Sequence, residues 1–341
     1  MAARDQNFPD FDIEQKSIEC ITRLDGYVHM QFDSLLEKFL GEFKQFCEKI
    51  TRMQGLDAKG PIGFIHLSIL RTNIMAKLHR IRLNAYDENW YMDRKECSGE
   101  YDVTEYYTYL DEFTDALEEA REASRGKITL HDVQSAVFEE CNKYLLFVAE
   151  LVRVGLKKAS EEPWFQAMRR HEVFVICIGE YQDKVDILYK EDTSVKDARK
   201  VKRFLESKHQ PAYSHEICNN LNLTGGLYED ICLQFSSFNG SDLSGSSFSG
   251  SKIICSSFQN AVLRNVGFNK AQVFNSDFSG AKLEDVSFEG AQLTYASFAG
   301  ATLTRVRFEG VLLTQSLDFS DAKLIDTILP GTDSLPHGLR R

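Results

Sequence analysis

Side chains that could bind a metal or act as nucleophiles are scattered along this chain of 341 residues. His215 and Cys218 form an HxxC pair, but a structural zinc site takes four ligands and no second pair stands near it. The other cysteines show no CxxC spacing. Acids such as Glu139 and Glu140 lie in a segment of helical periodicity, where solvated charge is the ordinary interpretation. We therefore predict no metal site and no cofactor.

Sequence motifs of catalysis are missing as well. The chain contains no GxxxxGK[ST], GxGxxG, GxSxG or HExxH motif and no EF-hand loop. Its many serine and threonine hydroxyls have no accompanying base in the sequence pattern. We predict that the protein is not an enzyme, and an unrecognised enzyme in the N-terminal part stays open as an alternative.

Composition and charge limit the remaining classes. Hydrophobic residues at 43% and charged residues at 27% are values of globular domains, and the length fits two of them. The net charge of −11 argues against general binding to nucleic acid or anionic lipid. Apolar runs are far shorter than the roughly 18 residues that span a bilayer, and the N-terminus lacks the apolar core of a signal peptide. Together with the scattered thiols, this predicts a cytoplasmic protein that does not bind membranes.

A period of five residues dominates the last third of the chain. From Leu223 to Leu313 a large apolar residue stands at every fifth position, nineteen times in succession. A helix would show a period of 3.6 and a strand a period of 2. From Ser236 onward the residue two positions before each centre is small or β-branched, and the other three positions are mostly polar or glycine. Such a chain must wind into a coil, because one turn alone buries almost nothing.

This pattern resembles the pentapeptide-repeat family over about residues 221–329. The family's repeat centres on Leu or Phe, with Ala, Ser, Cys or Val two places earlier. The resemblance implies a right-handed quadrilateral parallel β-helix with four pentapeptides in each coil, so that residues twenty apart stack. The implied core columns are Phe238, Phe258, Phe278 and Phe298; Phe248, Phe268, Phe288 and Phe308; Leu243, Leu263, Leu283 and Leu303; and Ile253, Val273, Leu293 and Leu313.

Two details of the repeat predict its turns and its end. Two residues after most Phe centres stands a glycine, as a turn with positive φ requires, whereas larger residues fill that slot after the aliphatic centres from Ile253 onward. Two turn types are therefore expected to alternate. After Leu313 the period resumes one residue out of step, which predicts an insertion near Leu317 and Asp318; the shifted centres are Phe319, Leu324 and Leu329.

The first 210 residues show helical periodicity and resemble no family that we recognise. Apolar stripes spaced by three or four residues predict helices over 35–50, 65–81, 106–120 and 133–151. The segment from Trp164 to Leu188 is ambiguous because Val173–Ile178 is rich in β-branched residues, but its spacing favours a helix. The predicted α+β multidomain organisation is an all-α helical bundle (1–210), a linker (211–222), the β-helix (223–329) and a C-terminal tail (330–341).

Tyr86, Trp90 and Tyr91 are grouped among charged residues of the N-terminal part. They are either a packed loop or an exposed surface for a protein partner, since tyrosine and tryptophan are enriched at binding hot spots. Core packing is the commoner fate of large aromatic residues. These three residues are the candidate partner surface of the sequence.

The predicted function is non-catalytic binding or scaffolding of bacterial type, with a rigid β-helix and a helical domain that engages a protein partner. Direct binding to nucleic acid is not expected, because the chain is acidic. An open coil end exposes β-edges, and a homodimer through the C-terminal coil end would cover one of them.

A DNA mimic is the alternative function. Some pentapeptide-repeat proteins mimic B-form DNA and bind DNA gyrase or related topoisomerases. Residues 223–329 contain eleven acids and seven bases. A rod of five coils would be about 25 Å long at a strand spacing of about 4.8 Å, and DNA of that length carries about 15 phosphate charges. The repeat therefore resembles DNA poorly in charge.

Overall fold

The structure is a computed structural model that describes residue 8 and residues 11–181, 185–313 and 317–330. It divides into two compact units, Met1–Thr193 and Ser194–Arg341, and each has a hydrophobic core of its own. Within the described residues, none of the helices is long and apolar enough to cross a membrane.

The first unit combines helices with a five-stranded mixed sheet. The strands are β1 (Ile62–Ile69), β2 (Arg80–Tyr86), β3 (Ser98–Asp102), β4 (Arg170–Glu180) and β5 (Val185–Asp192). The sheet has the order β3-β2-β1-β4-β5, in which β1 and β4 are parallel and the other neighbours are antiparallel. The helices are α1 (Ile13–Gly55), α2 (Arg71–Met75), α3 (Thr104–Ala123), α4 (Leu130–Ala159) and α5 (Pro163–Gln166). A short 3-10 turn covers Trp90–Met92.

Three long helices form where the apolar stripes predict them. The N-terminus of α1 is capped by Asp12, whose carboxylate accepts a hydrogen bond from the Gln15 N–H at 2.8 Å. The helix α4 begins with a capping box in which Thr129 and Asp132 each accept a hydrogen bond from the other's backbone N–H. The apolar stripe of α1 is buried in full: Leu35, Phe39, Phe43, Phe46 and Ile50.

The all-α prediction for residues 1–210 is wrong for the stripe between Ile65 and Ile81. These residues belong to β1 and β2, which the five-residue α2 separates. β1 lies between β2 and β4, and seven of its eight residues are buried. A strand that is covered on both faces loses the polar–apolar alternation by which strands are recognised, so its apolar residues also fitted a helical spacing.

The helix predicted between Trp164 and Leu188 is also corrected. Trp164 lies in the short α5, and most of the described residues that follow it as far as Leu188 belong to β4 and β5. All six residues from Phe174 to Gly179 are buried at the centre of β4. The β-branched composition of this run was therefore the better guide than its spacing.

The second unit is the predicted β-helix, preceded by the helix α6 (Ala198–Glu206). Its short strands are β6 (Tyr213–Ser214), β7 (Cys232–Gln234), β8 (Lys252–Ile254), β9 (Val262–Arg264), β10 (Gln272–Phe274), β11 (Lys282–Glu284), β12 (Gln292–Thr294), β13 (Thr302–Thr304), β14 (Leu312–Leu313) and β15 (Lys323–Ile325). They are parallel and stack into two sheets, in the orders β14-β12-β10-β8-β7-β6 and β15-β13-β11-β9. Paired residues are twenty apart, as Val273 is with Ile253 and Leu293.

The coil begins earlier than residue 223. β6 already pairs with β7, and Cys218 and Leu223 lie in the core of the coil. Most of the linker that the sequence predicted over 211–222 is therefore part of the coil, which begins at Tyr213. The helix α6, which fell within the predicted helical domain, belongs to the second unit.

The phenylalanine centres form two stacks inside the coil. The ring centroids of Phe258 and Phe278 are 4.9 Å apart, and their planes differ by 4°. Rings of different stacks meet edge to face, as Phe268 and Phe278 do at 5.8 Å and 89°. Both arrangements suit the aromatic quadrupole. The described members of all four columns are buried: Phe238, Phe248, Phe258, Phe268, Phe278, Phe288, Phe298, Phe308, Leu243, Leu263, Leu283, Leu303, Ile253, Val273 and Leu293.

Each coil turns at residues with positive φ. After a Phe centre the turn is closed by a backbone hydrogen bond, such as that from Ala281 N–H to the Phe278 carbonyl at 3.1 Å, with Gly280 at φ 67°. After the aliphatic centres of β8 to β13 the chain leaves a three-residue strand, and the slot is non-glycine but still left-handed, as at Asn265 with φ 53°. Leu243 differs, because its slot holds Gly245 and the Ser246 N–H donates to the Leu243 carbonyl, as in the turns after Phe. From Phe248 to Phe308 the two turn types alternate as predicted, and both of them place a left-handed residue in the slot.

The shift of register near the C-terminus also follows the prediction. Phe319 stacks on Phe298 with centroids 5.1 Å apart, at a spacing of 21 residues. Leu324 pairs with Leu303 at the same spacing, whereas Leu313 still pairs with the residue twenty before it. The inserted residue therefore lies between Leu313 and Asp318, a stretch of which residues 314–316 fall outside the described part.

The helix α6 closes the N-terminal end of the coil. Leu205 is fully buried against the coil's core. Lys202 Nζ donates to the carbonyl oxygens of Thr224 and Gly225, at 2.8 and 3.0 Å, and the Glu206 carboxylate accepts from the backbone N–H of residue 227 at 3.1 Å. The helix thus supplies both the apolar cover and the polar partners that the exposed edge of a β-coil needs.

We expect Leu205→Ala to lower the free energy of unfolding of the second unit by about 2–5 kcal/mol, because it leaves a cavity under the cap. The exposed Arg203→Ala on the same helix is the control and should change that free energy by less than about 0.5 kcal/mol. Urea unfolding monitored by circular dichroism measures both. Equal effects of the two substitutions would contradict the cap.

Replacing lysine by glycine should have opposite effects at two positions of the coil. Lys270 has φ 57°, so Lys270→Gly removes a left-handed strain of about 1–2 kcal/mol, which exceeds the added entropy of the unfolded chain. Lys282 lies in β11, so Lys282→Gly weakens a strand. We expect the melting temperature to rise in the first variant and to fall in the second. A fall in both would show that the turn strain is absent.

Candidate functional site

The aromatic residues predicted as a partner surface form one cluster on the sheet of the first unit. Tyr86 ends β2, and Trp90 and Tyr91 lie in the 3-10 turn. The ring centroids of Tyr86 and Tyr91 are 5.4 Å apart, those of Trp90 and Phe64 are 4.1 Å apart, and those of Tyr91 and Tyr181 are 5.7 Å apart. All three predicted residues are half-buried, and burial raises the pKa of the Tyr86 hydroxyl. The structure brings them together as a packed cluster.

The loop that carries Trp90 and Tyr91 is held close to the sheet. Gly63 of β1 passes beneath it, where a Cβ atom would lie 2.9 Å from the Asp87 carbonyl oxygen. Lys59 and Asp93 form a buried ion pair with Nζ and Oδ2 2.6 Å apart. Burial alone would raise the pKa of Asp93, but Lys59 and the backbone N–H groups of Lys95 and Asp87 hold it below its usual value. The glycine and the ion pair fix the position of the aromatic cluster.

His66 lies beside this cluster on the central strand β1. Its Nδ1 atom is 2.9 Å from the hydroxyl oxygen of Tyr91. The side chain is fully buried, and burial lowers the pKa of the imidazole to about 4. The ring is therefore neutral at pH 7 and can take part in hydrogen bonds in either tautomer.

The two strand-bearing sides of the β-helix differ in chemistry. We call the outward side of β7, β8, β10 and β12, with the residue after each strand, the aromatic face. Its only formal charge is Lys252. It exposes Phe274 and Tyr295 by 45% and 52%, and their rings meet edge to face with centroids 6.2 Å apart. The other outward residues of this face are Cys232, Gln234, Phe235, Ile254, Cys255, Gln272, Asn275, Gln292 and Thr294.

The opposite side, formed by β9, β11 and β13, is the charged face. The Arg305 guanidinium contacts the carboxylates of Asp285 at 2.7 Å and Glu284 at 3.0 Å. Arg264 approaches Glu284 from the coil on the other side, at 3.4 Å. The hydrogen bond from Arg305 lowers the pKa of Asp285. The charges of this face are therefore largely paired with one another.

The other residues with metal or redox chemistry do not form a centre. His215 stacks on Phe235 with ring centroids 5.1 Å apart, and Cys218 is buried in the coil. In the part of the chain that the structure describes, no group of three His, Cys, Asp or Glu residues is arranged to hold a metal ion. All eight cysteines lie in that part and are thiols.

Sequence reasoning did not single out Phe274, Tyr295 or His66. Phe274 and Tyr295 occupy outward slots of a repeat in which such slots are mostly polar. The presence of a large aromatic residue in such a slot could have marked them as candidates for a binding surface. His66 stands between apolar residues in a strand that was assigned to a helix, so its face could not be determined.

Comparison with known proteins covers the second unit. A family model described as a pentapeptide repeat region matches residues 221–298, and no curated protein sequence matches the chain significantly. Rfr23 from the cyanobacterium Cyanothece 51142 is 14% identical over 37% of this chain and 95% of its own, with a TM-score of 0.28. HetL, involved in heterocyst differentiation regulation in Nostoc sp. strain PCC 7120, is 13% identical over 39% of this chain and 94% of its own, with a TM-score of 0.24. QnrB1, a plasmid-mediated fluoroquinolone resistance protein, is 14% identical over 34% of this chain and 86% of its own, with a TM-score of 0.16.

The family match falls on the residues whose five-residue period winds into a ladder with a twenty-residue register. The second unit of this chain is a pentapeptide-repeat β-helix.

Proposed function

We propose that the chain is a non-catalytic scaffold that binds a protein partner on the aromatic face of its β-helix. The observation that carries the proposal is the exposure of Phe274 and Tyr295 on a ladder with a single formal charge. Large aromatic side chains are the commonest anchors of protein interfaces, and uncharged surface around them lowers the cost of desolvation. The thiols of all eight cysteines suit a reducing compartment such as the cytoplasm.

The coil supports such a presenting role because it fixes the spacing of its outward side chains. Phe274 lies in β10 and Tyr295 directly follows β12, the neighbouring strand of the same ladder, and backbone hydrogen bonds join these strands to the next coils. Side chains held in this way lose little freedom when a partner binds, and this favours affinity.

Charge pairing weighs against the DNA mimic. A mimic needs unbalanced carboxylates at the spacing of phosphates. On the charged face, Glu284 and Asp285 are instead in contact with Arg264 and Arg305. Binding of gyrase through the charged face is therefore the alternative, and crosslinking from the two faces distinguishes it from binding of a partner on the aromatic face.

A photo-crosslinking amino acid placed at position 274 or 295 of the full chain should give one discrete adduct in native lysate. The same amino acid in place of Thr304, on the charged face, is the matched control and should give none. Mass spectrometry identifies the adduct. Phe274→Ser and Tyr295→Ser should each weaken binding of the identified partner at least about tenfold, as loss of a hot-spot anchor does.

Two results would contradict the proposal. One is an adduct of equal yield from position 304, and the other is partner binding that is unchanged by both serine substitutions. Capture of a gyrase subunit through the charged face would establish the DNA mimic in its place.

We also propose that two copies of the chain associate through the last coil. Leu324, Ile325 and Ile328 are 42%, 49% and 56% exposed there, and an uncovered coil end is an adhesive edge. Light scattering should give the mass of a dimer, and Leu324→Lys combined with Ile325→Lys should give that of a monomer. Ile18→Lys, at a similarly exposed position of the first unit, should leave the dimer intact. A monomeric wild-type chain at micromolar concentration would refute the association.

A further inference from the structure

Four buried polar atoms of the first unit lie in one region of the sheet and have no hydrogen-bond partner. They are His66 Nε2, Ser68 Oγ, Asn84 Nδ2 and Trp90 Nε1. Nine such atoms occur in the described part of the chain, and the other five are three tyrosine hydroxyls and two polar atoms of the coil. Buried polar groups are nearly always satisfied in folded proteins, so four together in one region are a reason to look for a bound molecule that completes their hydrogen bonds.

The strand register places these residues side by side. His66 and Ser68 are alternate residues of β1 and share a face, while Ile65 and Leu67 point to the helical core. Asn84 on β2 is the register partner of His66. Trp90 packs against Phe64, the residue of the same face that precedes His66, with the two ring planes tilted by 34°. The four side chains thus belong to one patch of the sheet.

Most of the unpaired polar atoms in this patch are hydrogen-bond donors. The Trp90 N–H and the Asn84 amide nitrogen can only donate, and the Ser68 hydroxyl can donate as well. Arg82 is the register partner of Ser68 on β2 and stands exposed at the rim, where it is 2.7 Å from a Glu96 carboxylate oxygen. On the other side of Ser68, Gly179 of β4 contributes no side chain. A ligand must therefore offer several acceptor lone pairs.

We propose that this patch is a binding site for a small carboxylate. The carboxylate would accept hydrogen bonds from Asn84, Trp90 and Ser68, and Arg82 at the rim would attract its negative charge. The N–H groups of Asn84 and Trp90 would repel a cation, so an anion matches the patch better than a metal ion. The site is independent of the protein-binding function proposed for the second unit, so either proposal can fail alone.

The fluorescence of Trp90 can report binding directly. The chain has two tryptophans, so Trp164→Phe leaves Trp90 as the sole one. We would titrate this full-length variant with sodium acetate or sodium succinate at constant ionic strength, and with acetamide, the uncharged isostere of acetic acid. We expect a saturable change in emission with a carboxylate and none with acetamide. Ser68→Ala and Asn84→Leu in the same background should each raise the apparent Kd at least tenfold.

The thermal stability of the unliganded protein is the second measurement. An unpaired buried amide destabilises the unliganded protein, because its desolvation is not compensated by a hydrogen bond. Asn84→Leu should therefore raise the melting temperature. The control is Ser135→Ala, at an exposed position of α4, which should change neither the melting temperature nor the titration. The proposal is overturned by an equal response to acetamide, by no saturable response to either carboxylate, or by a lower melting temperature of Asn84→Leu.

Discussion

The hydrogen bonds between successive coils are the constraint on which the second unit depends. Each coil donates to the next one, as Phe278 N–H does to the Ser297 carbonyl at 2.7 Å and Gly280 N–H to the Ala299 carbonyl at 2.9 Å. The coils must stay in register for these bonds to form, which requires a fixed number of residues in each coil. The one residue added near the C-terminus lies beyond the regular ladder, where only the last coil has to accommodate it. The same constraint explains α6, because the first coil has no predecessor.

The β-helix could be predicted from the sequence because its pattern is local and repeated. Each inward slot recurs every five residues, and nineteen agreeing centres outweigh any single exception. The sheet of the first unit could not be predicted in this way. The runs in β1 and β4 are buried on both faces, and a short buried run fits a helix as well as a strand. The helices α1, α3 and α4 were predictable because each keeps one solvated side.

The same regularity explains why the candidate site was harder to predict than the fold. Inward slots are constrained by packing, whereas outward slots tolerate nearly any side chain that a turn or strand accepts. Binding residues of a pentapeptide-repeat coil are therefore expected only at its outward positions. Phe274 and Tyr295 depart from the polar average there, and Arg305 creates the ion pairs of the opposite side. Such departures become interpretable only when the coil shows which of them are neighbours.

The first unit presents the reverse situation. There the predicted cluster of Tyr86, Trp90 and Tyr91 is packed against the sheet, and the unusual residues lie in the middle of an apolar strand. A histidine and a serine on the central strand are less favourable for stability than valine or leucine, because burial removes their water without replacing every hydrogen bond. The fold tolerates them because the rest of the sheet and the three long helices bury a large apolar core. The carboxylate site proposed for the first unit and the partner surface proposed for the coil therefore rest on separate hydrophobic cores, and a substitution at one site is not expected to disturb the packing that supports the other.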